Sequence, residues 1–143
     1  MYWKYYKLIL KSVCIVGGLG HIGLPLGIVS ASKNFHVTLL DLNISAKEMI
    51  LNGKLPFIEH DAEPILKEVL LKGNLSITDS YDSLKAKDYV IVCIGTLIDE
   101  YMNPKIKDFM KCIEDISNKC DKETCVIIRS SIYPGTCLKI QNF

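Results

Sequence analysis

The sequence predicts a doubly wound parallel α/β sheet, on three observations. Short β-branched runs alternate with longer helix-like stretches, those runs are apolar almost throughout, and a glycine-rich turn joins the first run to a helix. A strand that alternates apolar and polar residues has one wet face, whereas a nearly continuous apolar strand is covered on both. Strand–helix alternation then builds a parallel sheet with right-handed crossovers. Val13–Val16, Phe35–Leu40, Leu75–Thr78, Tyr89–Ile94 and Thr124–Ile128 read as strands. Ile22–Ser32, Ser45–Leu51, Ala62–Leu71 and Ile106–Lys119 read as helices between them.

A chain of 143 residues is enough for one domain, given that domains commonly run to about 100–200 residues. No internal repeat, low-complexity tract or linker divides it. Residues 1–11, rich in Tyr and holding Trp3, read as an N-terminal extension, and residues 12–143 as the domain proper. The net charge is +1 and the Lys and Arg residues are scattered, so no basic stripe points to nucleic acid or a membrane surface. A polyanion would have to be held locally, through backbone groups.

Lys4, Lys7 and Lys11 precede the apolar stretch 13–29, a layout shared with signal peptides and anchors. Gly17, Gly18, Gly20, Gly23, Gly27, Pro25 and His21 interrupt that stretch and argue against a membrane helix. The six cysteines form no C-x-x-C pair and keep no ligand spacing to His21, His36 or His60, so no metal site is expected. Cys14, Cys93 and Cys125 fall inside apolar strand-like runs as small hydrophobes, which suits a reduced, cytoplasmic setting.

The first strand runs directly into Gly18-Leu19-Gly20-His21-Ile22-Gly23, a G-x-G-x-x-G. In such a loop the first glycine permits a tight turn, the second lets a pyrophosphate approach the backbone, and the third lets the helix pack close to the strand. Freed N–H groups and the helix dipole then hold the phosphates. His21 is expected to supply backbone N–H and a wall rather than acid–base chemistry. The second strand ends in Asp41, whose carboxylate suits the adenosine ribose hydroxyls of NAD. It would repel the 2′-phosphate of NADP, and Leu42 and Asn43 follow it rather than Arg. The alternative is that Asp41 caps the helix beginning near Ser45. Thr96 lies just past the fourth strand and Ser131 just past the fifth, so both reach the rim where doubly wound sheets bind ligands. Each could instead cap an adjacent turn.

These residues resemble the UDP-glucose, GDP-mannose and UDP-N-acetylmannosamine dehydrogenases, whose cofactor domain is Rossmann-like. The resemblance begins with VGGLGHIGLPLG (16–27) and continues through LDLN (40–43), NGKLPFIE (52–59), GNLSITD (73–79), IGTLIDE (94–100) and RSSIYPGT (129–136). It implies an oxidoreductase in which two NAD molecules in turn take hydride from the C6 alcohol of a nucleotide sugar. The product is the uronic acid, formed through a thioester on a cysteine. It also implies a homodimer in the complete enzyme, a small-molecule nucleotide sugar as partner, and cofactor contacts at Gly18, Gly20, His21, Ile22, Gly23, Asp41, Thr96 and Ser131. Leu97 stands where the family has Pro, and Ser131 where it has Thr, keeping the hydroxyl.

In that family the nucleophilic cysteine, the lysine and the sugar-binding domain lie beyond the P-G-T element. The expectation is therefore a domain truncated after about five strands, with no catalytic residue of its own and no activity alone. Cys137 follows Thr136 at a helix start and reads as an incidental thiol. The fifth strand is expected to be an unprotected edge that promotes association. Two rival readings share the glycine loop. One is a dehydrogenase of the hydroxyacid, 6-phosphogluconate or hydroxyacyl-CoA type; the other is a stand-alone NAD-binding module.

Overall fold

The computed structural model describes residues 11–95 and 106–141. Within them the chain runs β1 (Ser12–Val16), α1 (Gly23–Ser32), β2 (His36–Leu40), α2 (Ile44–Leu51), α3 (Ala62–Leu71), β3 (Leu75–Thr78), β4 (Tyr89–Val92), α4 (Ile106–Ser117), β5 (Cys125–Ile128) and α5 (Thr136–Ile140). The five strands form one sheet in the order β3-β2-β1-β4-β5. Every pairing is parallel. The chain works outward from β1 to β3, then crosses back to β4, so the strand order reverses between β1 and β4.

The central strands β1 and β4 are covered on both sides, as their composition requires, while β5 at the edge keeps Cys125, Val126 and Ile127 exposed. On one face, Val13, Ile15, Val37, Leu39 and Leu75 pack with Leu24 and Ile28 of α1, Ile50 of α2, and Leu66 and Val69 of α3. On the other, Cys14, Val16, Leu40, Val90 and Val92 meet Phe109, Ile113 and Ile116 of α4. Those three α4 residues recur at helical spacing and are buried, while Lys107, Lys111, Glu114 and Asp115 are exposed. Burying such a side chain contributes roughly 1.5–3 kcal/mol, which is why this helix docks at all. Pro25 sits in the first turn of α1, where its missing N–H costs no helical bond.

The elements follow the sequence reading closely, with two additions. A 3-10 turn at Tyr81–Leu84 takes part in the crossover from β3 to β4 and buries Leu84 beneath the second face. The short α5 begins after Gly135, where the sequence has too few helix formers for a free helix. It is held by tertiary contact, with Thr136 buried and Ile140 packed on the α4-side core. Among the described residues, no helix is long and apolar enough to cross a membrane. The apolar stretch near the N-terminus is divided instead between β1, a turn and α1.

Candidate functional site

The register aligns the carboxyl ends of the strands, pairing Val16 with Leu40 and Val92, Leu40 with Thr78, and Val92 with Ile128. Whatever follows each strand therefore arrives at one rim. Gly17 and Gly18 follow β1, Asp41 follows β2, Cys93 to Gly95 follow β4, and Arg129 to Ser131 follow β5. The residues expected at this rim are brought together, except Thr96, which lies outside the described residues.

The turn after β1 differs from the expectation in one respect. The residue with positive φ is Gly17, at +74°, and not Gly18. A side chain at Gly17 would also run into the Cys93 carbonyl oxygen, 2.8 Å from its Cβ. Gly18 is required for a different reason: a Cβ there would sit 2.7 Å from the Ile15 carbonyl oxygen and 2.8 Å from Leu39 Cβ. The turn is fastened to β2, since the amides of Gly17 and Gly18 both donate to the Leu40 carbonyl, at 3.0 and 3.2 Å. A third close approach fixes Gly23, whose Cβ would collide with the Gly17 carbonyl oxygen and with Gly18 Cα at 2.8 Å. This is the helix-to-turn packing that the last glycine of the motif permits.

Gly20 is different. It is exposed, and a Cβ there would meet only the Gly17 carbonyl oxygen, at 3.6 Å. Its missing side chain leaves open space outside the protein rather than relieving a clash inside it. That space fits a ligand approaching the backbone. Beside it, among the described residues, the amides of His21 and Ile22 donate to no protein acceptor. No acidic side chain occupies the first turn of α1. An open cradle with free N–H donors at a helix start fits a pyrophosphate. The exposed His21 ring leans on Phe57, centroid to centroid 4.1 Å, which ties the loop to the segment after α2.

Asp41 is partly buried and doubly engaged. Its Oδ2 accepts the Leu19 amide at 3.0 Å, and its Oδ1 accepts the Asn43 amide at 3.1 Å. A carboxylate has about four lone-pair positions, so these bonds leave capacity for ribose hydroxyls. The alternative role as helix cap falls to another residue, because Asn43 Oδ1 accepts the Ala46 amide at 3.1 Å at the start of α2.

Two clefts flank the turn. The first, about 230 Å³, is lined by Val16, Gly17, Leu40, Asp41, Leu42, Tyr81, Ile94 and Cys112. Apart from the Asp41 carboxylate, its walls are largely apolar. Burial pushes the Tyr81 hydroxyl up to about 12, with Cys112 adding to the effect. Tyr81 Oη and Cys112 Sγ lie 3.8 Å apart, and burial raises that thiol as well, so both groups are neutral at neutral pH. A neutral slot beside the Asp41 carboxylate suits a flat heteroaromatic ring. The second cleft, about 210 Å³, is lined by Ile22, Cys93, Ile94, Gly95, Arg129, Ser130 and Ser131. Burial raises the Cys93 thiol, against the opposing influence of Arg129.

Tyr81 and Cys112 escape a reading of the sequence, because no motif marks them, and Arg129, though it opens the RSSIYPGT element, is not singled out by it. Tyr81 and Cys112 meet only through packing of the 3-10 turn against α4. Arg129 had a signal, its place two residues before Ser131 at a strand end. Gly17 had one too, as the glycine directly before the motif.

Comparison with known proteins agrees with this geometry. The family model for the UDP-glucose/GDP-mannose dehydrogenase family, NAD binding domain, matches residues 11–143. UDP-N-acetyl-D-mannosamine dehydrogenase of Pyrococcus horikoshii is 34% identical over 123 residues, covering 86% of this chain and 29% of that protein. UDP-glucose 6-dehydrogenase of Rickettsia prowazekii is 30% identical over 125 residues, again 86% of this chain and 29% of that protein. The solved structure of the Pyrococcus horikoshii UDP-D-ManNAc dehydrogenase superposes with a TM-score of 0.82 at 32% identity, covering 92% of this chain and 31% of that one. The chain thus spans about 29% of the length of these curated relatives. It belongs to the UDP-glucose/GDP-mannose dehydrogenase family, to the NAD binding domain that this family carries.

Proposed function

We propose that this chain holds NAD for a nucleotide-sugar 6-dehydrogenase, one that oxidises the C6 alcohol of a UDP- or GDP-linked sugar to the uronic acid. The observation that carries the reading is the pairing of an open Gly20 cradle with the Asp41 carboxylate across one turn. Gly18 and Gly23 shape the turn. Gly20 and the amides of His21 and Ile22 receive the pyrophosphate, and Asp41 receives the adenosine ribose. The first cleft takes the adenine. Ser131, on the rim of the second cleft, faces the nicotinamide half. When bound, NAD supplies the hydride acceptor, and the chain's own residues bind and orient it.

The same reading makes the complete enzyme a homodimer working in the cytoplasm on a small nucleotide sugar. The 143-residue chain alone binds cofactor without turning over sugar, because none of its cysteines stands in the sequence context of the family's nucleophile. The test incubates the chain with NAD and UDP-glucose, UDP-N-acetylmannosamine or GDP-mannose, followed by NADH absorbance. The expected result is binding of NADH with no turnover. Uronic-acid formation by this chain would assign the nucleophile to one of its own cysteines and overturn that part of the reading.

A further inference from the structure

We propose that Arg129 makes the cofactor cleft discriminate between the two redox states of NAD, favouring the reduced form. The inference rests on the NAD reading above. Asp41 and the apolar slot lie on one side of the Gly17–Gly23 turn, the cleft holding Arg129 lies on the other, and Ile94 lines both. Among the described residues, a dinucleotide whose ribose meets Asp41 and whose pyrophosphate crosses Gly20 meets the second cleft with its remaining end. That end is a nicotinamide ring, cationic when oxidised and neutral when reduced.

The root of Arg129 is fixed. Its amide donates to the Val92 carbonyl at 2.9 Å, and the same oxygen accepts the Ser130 amide at 3.0 Å and Ser130 Oγ at 3.2 Å. The guanidinium stays protonated at any working pH. None of its neighbours in the cleft lining, Ile22, Cys93, Ile94, Gly95, Ser130 and Ser131, is a carboxylate. Cys93, the one of these neighbours that can ionise, is kept neutral by burial, so among the described residues of that lining none offsets the positive charge. Like charge therefore opposes the oxidised ring and leaves the reduced ring untouched. Arg129 is exposed, so the repulsion is screened and modest.

Calorimetric titration of the full chain with NADH and with NAD+ tests this, alongside Arg129→Lys, Arg129→Gln and Arg129→Glu, at low and high ionic strength. The quantity read is the ratio of the NAD+ to the NADH dissociation constant. It should fall by about threefold or more in Arg129→Gln, a change typical of one screened charge, and fall further in Arg129→Glu. Arg129→Lys should keep the ratio, and salt should shrink it in the parent. A ratio that stays flat across the charge series, with NADH binding retained or with both affinities lowered alike, overturns the role of Arg129 and leaves the NAD site standing. A parent chain that binds neither form takes down both.

Discussion

The Asp41 carboxylate accepts the Leu19 amide at 3.0 Å, so the residue directly after β2 also holds the turn that follows β1. In the proposed reading, cofactor recognition and loop geometry share one side chain. Asp41→Ala should cost about 1.5–3 kcal/mol of NADH binding, the range for hydrogen bonds to a charged group. It should also speed hydrogen exchange at the Leu19 amide in the free chain. Exchange mass spectrometry beside calorimetry checks both, and loss of neither would remove Asp41 from the site.

Gly20 and Gly23 should separate binding from folding. Gly20→Val places a side chain in the open cradle and should abolish NADH binding while the melting temperature stays near that of the parent. Gly23→Ala drives a Cβ into the Gly17 carbonyl. It should destabilise the fold by about 1–3 kcal/mol, the usual cost of overpacking. Thermal melts and titrations on both variants make the comparison. A Gly20→Val chain that binds NADH normally would mean the turn is not a phosphate site.

Thiol reactivity should map the apolar slot. Cys125 and Cys137 are exposed, Cys112 is half-buried, and burial pushes the Cys14 thiol up to about 11. Alkylation at neutral pH should modify the exposed pair first and Cys14 last, since the thiolate is the reactive form. Saturating NADH should slow Cys112 without slowing Cys125. Equal protection at both sites, or none at Cys112, would move the adenine elsewhere.

Acid stability should depend on Asp88. Its carboxylate accepts the Ser12 amide at 2.8 Å and Ser12 Oγ at 2.9 Å, with Lys11 Nζ at 3.5 Å. The Ser12 bonds, helped by Lys11, hold its pKa below the usual carboxylate value. A depressed folded-state pKa stabilises the fold above the unfolded value, near 4, and that contribution is lost as pH falls through the folded value. Urea melts of the parent should weaken between pH 6 and the acid limb more than those of Asp88→Asn. Identical pH profiles would show that the Ser12 contact carries no linkage.

β5 should drive self-association. It is the edge of the described sheet, and its Val126 and Ile127 are 39% and 41% exposed. Unpaired strand edges with apolar side chains invite pairing. Light scattering of the isolated chain should show association that Ile127→Lys reduces. A monodisperse parent would favour a stand-alone binding module.

Much of this is legible in the sequence. The apolar runs at 13–16 and 89–92 specify strands covered on both faces, and the glycine spacing with Asp41 marks the rim, because both signals are local. The division of labour among the glycines was not legible. Which one takes positive φ depends on how the turn abuts the Cys93 carbonyl, a contact between residues far apart in sequence. The slot formed by Tyr81 and Cys112 was hidden for the same reason, since it exists only once α4 packs on the second face. Asn43, rather than Asp41, caps α2 because the helix begins at Ile44, which puts Asn43 at the N-cap with its Oδ1 on the Ala46 amide.

The most direct test of the NAD site is calorimetric titration of the 143-residue chain with NADH and with NADPH, using Gly20→Val as the blank. The expected result is saturable NADH binding, weaker NADPH binding because Asp41 repels the 2′-phosphate, and no heat from the blank. Equal or tighter binding of NADPH, or binding that survives in Gly20→Val, would contradict the assignment of this turn and its carboxylate.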